Sequence, residues 1–141
     1  MEYRDTPVDV KLVLSAWWIA MLFVFAYVDI FGFFRADVLE AALDGKVATT
    51  EFEVNQVFLT ITLIYILIPA SMVVLSLLLK PRFNRGINIV VSILYMISII
   101  ASCIGETWAY YIIGSAIEVI LLAAIARTAC KWPQNIPVRD R

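Results

Sequence analysis

Residues 107–126 read TWAYYIIGSAIEVILLAAIA and carry one charged side chain, Glu118, within an otherwise uncharged and mainly apolar run. A helix of about 20 residues spans about 30 Å, the thickness of the hydrocarbon core of a bilayer. The run therefore predicts a membrane-spanning helix with a carboxyl group near the middle of the membrane. Such a group costs about 2.5 to 3.5 kcal/mol on insertion scales, so Glu118 is the first candidate for a functional residue.

The rest of the chain has a similar membrane-like composition. Hydrophobic residues make up 62% of the 141 positions and the mean hydropathy is +0.89, whereas soluble domains contain roughly 45 to 50% apolar residues. Charged residues are few and cluster between long charge-free blocks. These blocks predict an all-α integral membrane four-helix bundle, with spans at about 10–34, 55–79, 86–104 and 107–130.

The connections predict a single transmembrane domain over residues 1–141. Only Gly105 and Glu106 separate the third and fourth predicted spans, so these spans are expected to form a tight antiparallel hairpin. The first apolar run is longer than the core of a signal peptide and is expected to be a retained span. Residues 131–141 are expected to form a cytoplasmic tail.

The positions of the basic residues predict the orientation. Of the 11 Lys and Arg side chains, all but Arg35 and Lys46 fall on the face that carries both termini of a four-span chain. Because cytoplasmic loops of membrane proteins are enriched in Lys and Arg, both termini are expected inside, in the cytoplasmic membrane of a cell. The connection after the first span is then outside.

The predicted outer connection, residues 35–53, contains a short amphipathic segment, ADVLEAALDG at 36–45. Its acidic and apolar side chains fall on different faces of a helix, and Gly45 is placed as a C-terminal cap. The pattern predicts a short helix on the outer membrane surface, with a merely solvated connector as the alternative.

Composition also argues against several classes of function. The chain has no histidine, which removes imidazole ligation of haem, histidine-bearing zinc sites and Ser/His or Cys/His nucleophile pairs. A net charge of −1 without a basic face argues against nucleic-acid binding. Cys103 and Cys130 are expected at opposite membrane faces as unpaired small hydrophobic residues. No metal site and no cofactor are expected.

Helical spacing places polar and aromatic side chains of each span on one stripe. In lipid such stripes turn toward other helices, because an exposed hydroxyl or carboxyl group finds no hydrogen-bond partner there. We therefore expect a polar, tyrosine-rich interior, to which the second and third spans also contribute Ser76 and Asn88. The candidate ligand- or proton-binding residues are Trp18, Asp29, Tyr65, Tyr95, Glu106, Trp108, Tyr111, Ser115 and Glu118.

Depth distinguishes the three acidic candidates. Glu118 lies about 18 Å from the level of Glu106, whereas Asp29 lies about 9 Å below Arg35 in the predicted outer leaflet. The three acids are expected to line a cavity that opens outward, with Glu118 at its floor. No Lys or Arg lies within an apolar core, so the partner of Glu118 is expected to be a tyrosine, a water molecule, a proton or a bound cation.

Each acidic candidate also has a purely structural interpretation. Glu118 would then be protonated and hydrogen-bonded between helices, and Asp29 would pair with Arg35. Glu106 would cap a helix or lie at the interface. Near the predicted pocket, Pro69 leaves a backbone carbonyl group without its helical donor and is expected to kink the second span.

Three stretches carry a resemblance to a known family: SAWWIAMLFVFAYVDIFGF at 15–33, PRFNRGINI at 81–89 and GETWAYYIIGSAIEVILL at 105–122. Over residues 8–133 the chain resembles a family of small four-span prokaryotic membrane proteins of unknown function. Its architecture is more loosely similar to that of DoxX-like four-helix membrane proteins. The resemblance implies the four-span architecture, directs attention to Asp29, Glu106 and Glu118, and implies no activity.

Three functions fit these features. The first is binding or transport of a small cationic or protonatable solute with Glu118 as counter-charge, and transport by four spans would require a homo-oligomer. The second is a structural or accessory subunit of a membrane complex, in which the carboxyl groups join helices. The third is a membrane enzyme that acts on a lipid-like substrate through Glu118 and Asp29. Their separation in depth disfavours the enzyme, and the lipid bilayer is an expected partner in every case.

Overall fold

The computed structural model describes residues 7–48, 50 and 52–132. Within them the helices are α1 (Val10–Gly32), α2 (Ala36–Leu43), α3 (Gln56–Leu78), α4 (Pro81–Ser102) and α5 (Ala109–Cys130). All of these except α2 are long and apolar enough to cross a membrane. The predicted all-α architecture with four membrane-length helices is therefore confirmed. Residues 133–141, most of the predicted tail, lie outside the described residues.

The starts of α1 and α3 follow from capping side chains. The Asp9 carboxylate accepts the Lys11 amide at 2.8 Å at the start of α1. The Asn55 side chain accepts the Phe58 amide at 2.9 Å at the start of α3. Both side chains satisfy backbone donors that have no partner within their own helix.

The third span begins at Pro81 rather than at residue 86, whereas the other helix ends lie within two residues of prediction. Proline suits the first turn of a helix, because its φ is already helical and its missing N–H has no acceptor there. The charges of Arg82 and Arg85 favoured assignment of this turn to a loop, whereas both are exposed residues of α4. The earlier start brings Asn84 into the bundle, where it is fully buried.

The connection between α1 and α3 contains the predicted short helix, α2. The amide of Lys46 donates to the Ala41 carbonyl at 2.8 Å, and the amide of Gly45 donates to the carbonyl of Ala42 at 3.1 Å. Gly45 has a φ of 71°, the left-handed conformation that glycine adopts without steric cost. These bonds form a Schellman motif at the end of α2, while the place of α2 on the membrane surface stays a prediction.

The four long helices form a ring in the order α3, α1, α5, α4, which closes through a smaller contact between α4 and α3. Many large apolar side chains are exposed on the outside, as expected for a surface that faces lipid. The buried polar side chains of the four helices are Ser15, Ser76, Asn84, Asn88, Ser92, Ser115 and Glu118. The predicted inward turn of polar residues is confirmed at all of these positions except Asn84, which was assigned to a loop.

The bundle has two ends of different make-up. The α2 end carries α2 and the turn between α4 and α5, whereas the α3–α4 end carries the start of α1 and the turn at Leu79 and Lys80. Helices α1 and α5 run antiparallel and are in close contact where a Cβ on Gly114 would collide with the Val28 side chain. This contact fixes their register, so residue 29 is level with about residue 113.

Candidate functional site

Glu118 lies in the middle of α5 on the buried face of the helix, and only 2% of its surface is exposed. Its Oε1 atom is buried and has no hydrogen-bond partner within the part of the chain that the structure describes. Among the same residues both salt bridges involve Arg35, so no basic side chain pairs with Glu118. An ionised carboxylate in this position would be poorly compensated.

Asp29 lies on α1, one residue beyond the close contact with α5, and its side chain is exposed. The register of that contact places Asp29 about 7.5 Å nearer the α2 end than Glu118, at the helical rise of about 1.5 Å per residue. Tyr111 lies two residues from the start of α5 and thus close to the level of Asp29 along the bundle axis. The structure therefore places an exposed carboxyl group between the α2 end and the level of the buried carboxyl group.

The three candidate tyrosines use their hydroxyl groups to join helices. The hydroxyls of Tyr65 and Ser98 share a hydrogen bond of 2.9 Å between α3 and α4. The hydroxyl of Tyr95 donates to the main-chain carbonyl of Tyr65, and the hydroxyl of Tyr111 donates to Ser102 at 3.2 Å. The acceptors and partners of these hydroxyl groups all belong to α3 and α4. A tyrosine, one of the expected partners of Glu118, is therefore not observed beside its carboxyl group.

The bond between Tyr95 and the Tyr65 carbonyl has its origin in Pro69. Proline has no N–H to donate to the carbonyl group four residues earlier, which in α3 belongs to Tyr65. The hydroxyl of Tyr95 on α4 supplies the missing donor. The backbone carbonyl predicted from the sequence to lose its helical donor is thus satisfied from a neighbouring helix.

A cavity of about 10 Å³ lies beside these aromatic rings. It is lined by Met21, Leu22, Phe25, Tyr65, Ile66, Pro69 and Tyr95. Such a volume holds one water molecule at most, so this cavity admits no solute in the present conformation. The rings of Tyr65 and Tyr95 are stacked with their centroids 4.7 Å apart, which fills the space predicted to be a pocket.

Trp18 belongs to a buried group toward the α3–α4 end, which we call the Asn88 cluster: Trp18, Ser76, Asn84 and Asn88. The indole Nε1 of Trp18 donates to Asn88 Oδ1 at 2.7 Å, and the hydroxyl of Ser76 donates to the same oxygen at 3.3 Å. Asn88 Nδ2 donates to Asn84 Oδ1 at 2.7 Å. Asn84 Nδ2 in turn donates to the Ser76 carbonyl at 2.6 Å. The cluster joins α1, α3 and α4.

Sequence reasoning missed Asn84, because the residue was assigned to a loop. Two signals point to it: Pro81, which starts a helix, and the spacing of four residues between Asn84 and Asn88. Residues four apart lie on the same face of a helix, so both asparagines follow the same buried stripe.

At the α2 end, Arg35 is buried in a second group, the Arg35 cluster: Arg35, Asp37, Glu106 and Trp108. Its guanidinium group donates to Asp37 at 3.1 and 2.6 Å and to Glu106 Oε2 at 2.9 Å. The Trp108 ring centroid lies 4.8 Å from the guanidinium carbon, which is cation–π geometry. Arg35 thus pairs with these two acids rather than with Asp29, the alternative that the sequence left open.

Glu106 also fixes the turn before α5. Its Oε1 accepts the amides of Thr107 and Trp108 at 2.8 and 3.0 Å, which precede the first turn of the helix, so the side chain orders the turn rather than capping α5. Burial alone would raise the pKa of Glu106, but the hydrogen bonds from Trp108, Arg35 and Thr107 outweigh it and lower that pKa. The hydrogen bond between Arg35 and Asp37 lowers the pKa of Asp37 and raises that of Arg35. The cluster is therefore held in its charged form.

The candidate residues fall into three groups. Glu118 and Ser115 lie on the buried face of α5 and Tyr65 stacks on Tyr95 between α3 and α4, whereas Asp29 and Tyr111 lie near the α2 ends of α1 and α5. Trp18 belongs to the Asn88 cluster, and Glu106 and Trp108 belong to the Arg35 cluster. No group of three or more Cys, Asp or Glu residues among those described is placed to hold a metal ion.

Comparison with known proteins places the chain in a family. The model of a family of unknown function, DUF6326, matches residues 3–138, and the chain belongs to that family. The comparisons with curated proteins and with solved structures found no match. The loose likeness to DoxX-like proteins therefore finds no support, while membership of a family without an assigned activity agrees with the resemblance seen in the sequence.

Proposed function

We propose that this member of the DUF6326 family is a membrane binding or transport protein in which Glu118 takes up and releases a proton as a small cationic or protonatable solute is handled. The observation that carries the proposal is the buried Oε1 atom of Glu118, which has no hydrogen-bond partner in the described chain. Moving an ionised carboxylate into such surroundings costs several kcal/mol. The group is therefore expected to hold a proton unless a cation neutralises it.

The contrast with the Asn88 cluster argues against a purely structural role for Glu118. The Asn88 side chain is completely buried and bonds to Trp18, Ser76 and Asn84. Polar side chains that join helices in membranes are stabilising through such bonds. Glu118 is equally enclosed and its Oε1 makes none, so its desolvation is not offset by a structural contact.

Asp29 supplies a route between Glu118 and the α2 end. It is exposed, and by the helical rise it lies about 7.5 Å nearer the α2 end than Glu118 along the bundle axis. That separation exceeds one hydrogen bond and requires an intervening water molecule. Two carboxyl groups in this arrangement can pass a proton stepwise between the surface and the buried position.

The small volume beside Tyr65 and Tyr95 favours a proton as the first occupant. A cavity of about 10 Å³ holds at most one water molecule, so a larger solute can enter only in a more open conformation. Four spans also leave little room for alternating access within one chain. Transport in the full sense therefore requires, in our proposal, a homo-oligomer.

A structural or accessory role is the second candidate, and the two bonded clusters favour it. The Asn88 cluster joins α1, α3 and α4, and the Arg35 cluster joins the α1–α2 junction to the turn before α5. A protein that only assembles with others needs such fixed ends and needs no proton carrier. The two candidates therefore make opposite predictions about proton movement.

The test is proton flux into liposomes that contain the purified protein and an enclosed pH indicator. Glu118→Gln removes the titratable group and keeps the side-chain shape, and it should slow proton entry after an external acid pulse about 100-fold, as expected for a positioned proton-transfer group. Glu40→Gln alters an exposed acid of α2 and serves as the matched control, with unchanged flux. Equal flux in wild type and Glu118→Gln would refute the proposal, and a wild type without flux would favour the accessory role.

A further inference from the structure

The two halves of α3 are attached to the bundle very differently. The half near the α3–α4 end is tied by Ser76 in the Asn88 cluster and by the Val73 carbonyl, which accepts the Ser15 hydroxyl at 2.9 Å. The Leu77 carbonyl also accepts the Lys11 side chain at 3.1 Å. Three separate contacts therefore hold this half against α1 and α4.

The other half, residues 56–68, has one point of attachment through side-chain hydrogen bonds. Thr60 and Thr62 bond to carbonyl groups of their own helix. In the described chain, Tyr65 alone reaches another helix from this half, through its hydroxyl to Ser98 and through its carbonyl to Tyr95. The Arg35 cluster contains no residue of α3, so it leaves this half unrestrained.

Pro69 lies at the boundary between the two halves. Proline removes one backbone hydrogen bond from α3 and is a common cause of sharp helix kinks. The hydroxyl of Tyr95 restores a donor to the affected carbonyl, and the stacked rings of Tyr65 and Tyr95 pack over the same break. The hydrogen bond that α3 lacks at Pro69 is thus replaced by the Tyr95 hydroxyl of α4, and Ser98 of α4 bonds to the Tyr65 hydroxyl beside it.

We propose that Tyr95 is a gate residue, whose hydroxyl on the Tyr65 carbonyl holds residues 56–68 against α4 and thereby controls access from the α2 end to Glu118. Tyr65 and Glu118 each lie nine residues from the α2-end start of their helices, so the attachment point is level with the buried carboxyl group. Release of this bond lets 56–68 swing about Pro69 and enlarges the small cavity beside it. The inference deepens the proposed function and rests on it for its biological meaning.

The experiment separates the hydrogen bond from the packing of the ring. Tyr95→Phe removes the donor and keeps the stacking, while Pro69→Ala gives α3 its own N–H for the Tyr65 carbonyl. Hydrogen–deuterium exchange of the amides in 56–68 should rise about tenfold in Tyr95→Phe, because a buried acceptor then lacks a partner. The same change in a Pro69→Ala background should raise it less than about twofold, since the carbonyl is already bonded. Tyr27→Phe, at an exposed tyrosine of α1, is the control without effect.

The access of a water-soluble reagent to the buried position is measured at residue 118 itself. Glu118→Cys, in a chain with Cys103→Ser and Cys130→Ser, should react with a small water-soluble thiol reagent about tenfold faster when Tyr95→Phe is added. Pro69→Ala should cancel that acceleration. Unchanged exchange in 56–68, or faster exchange without faster labelling, would overturn the gate.

Two further outcomes remain decisive. If Tyr95→Phe does not fold, Pro69→Ala alone tests the same contact, because it must slow both amide exchange and labelling, and faster rates would overturn the proposal. If the gate variants behave as expected while Glu118→Gln keeps wild-type proton flux, the gate stands and the proposed proton role of Glu118 fails. The two proposals can therefore fail independently.

Discussion

Replacing two buried polar residues of the same bundle should change its stability in opposite directions. Glu118→Met should raise the free energy of unfolding, because Oε1 has no partner to lose and methionine fills a similar space without a polar atom. An unsatisfied buried polar group costs about 1 to 3 kcal/mol, and this is the gain expected in the variant. Functional residues are often stabilised by such replacements at the expense of activity.

Asn88→Leu should lower the free energy of unfolding. The Asn88 side chain accepts from Trp18 at 2.7 Å and from Ser76 at 3.3 Å, and it donates to Asn84 at 2.7 Å. Leucine leaves the completely buried indole N–H of Trp18 without an acceptor, at about 1 to 3 kcal/mol. The bond to Asn84 adds about 0.6 kcal/mol, the average for helix-joining hydrogen bonds in a membrane. The expected loss is about 1.6 to 3.6 kcal/mol.

Reversible unfolding in mixed detergent micelles, followed by far-ultraviolet circular dichroism, measures both changes. Leu122→Met is the matched control for Glu118→Met, because Leu122 lies one turn farther on the same buried face and such apolar exchanges cost less than about 1.5 kcal/mol. Destabilisation by Glu118→Met together with a nearly neutral Leu122→Met would show that the carboxyl group joins helices. That result would refute the reasoning from the unpartnered oxygen.

The Arg35 cluster and the close contact of α1 with α5 give two further predictions. The pKa values of Asp37 and Glu106 are lowered from their ordinary values of 3.8 and 4.5. The stability that the two ionised acids contribute is therefore complete above the ordinary pKa values, and it is lost as the pH falls through the lowered pKa values. Thermal unfolding between about pH 6 and pH 3 should therefore show a steeper loss in wild type than in Arg35→Met, and parallel curves would contradict the charged cluster. Gly114→Val should destabilise the bundle by about 1 to 3 kcal/mol through collision with Val28, and Val28→Ala should recover most of that loss in the same unfolding assay. If Val28→Ala does not recover the stability lost in Gly114→Val, the contact between Gly114 and Val28 does not limit the packing of α1 against α5.

The sequence was sufficient for the architecture because membrane insertion leaves few alternatives. Long charge-free blocks match the thickness of a bilayer, and a helix satisfies its own backbone there. The inward turn of polar residues followed from the same physics. Even the loss of a helical donor at the Tyr65 carbonyl could be anticipated, since it depends only on Pro69 in the same helix.

The contents of the candidate site could not be predicted equally well, because they depend on the rotation of each helix about its axis. A tyrosine on a polar stripe has several acceptors within reach, and the sequence could not distinguish Ser98 or a backbone carbonyl from the carboxyl of Glu118. The bond between Arg35 and Glu106 joins residues 71 positions apart. Such pairings are fixed by tertiary packing, so residue spacing along one helix contains no information about them.

The distribution of satisfied and unsatisfied polar groups indicates where this bundle can move. The Asn88 cluster joins α1, α3 and α4 toward one end, and the Arg35 cluster joins the α1–α2 junction to the turn before α5 at the other, without a residue of α3. Between them lie the unpartnered oxygen of Glu118 and the interrupted helix at Pro69. A rearrangement that spares both clusters can displace residues 56–68, whose attachment at Tyr65 lies at the level of Glu118 by helical rise. In the gate proposal, the segment that moves and the group that lacks a partner thus occupy the same level of the bundle, which is the arrangement that an opening coupled to protonation requires.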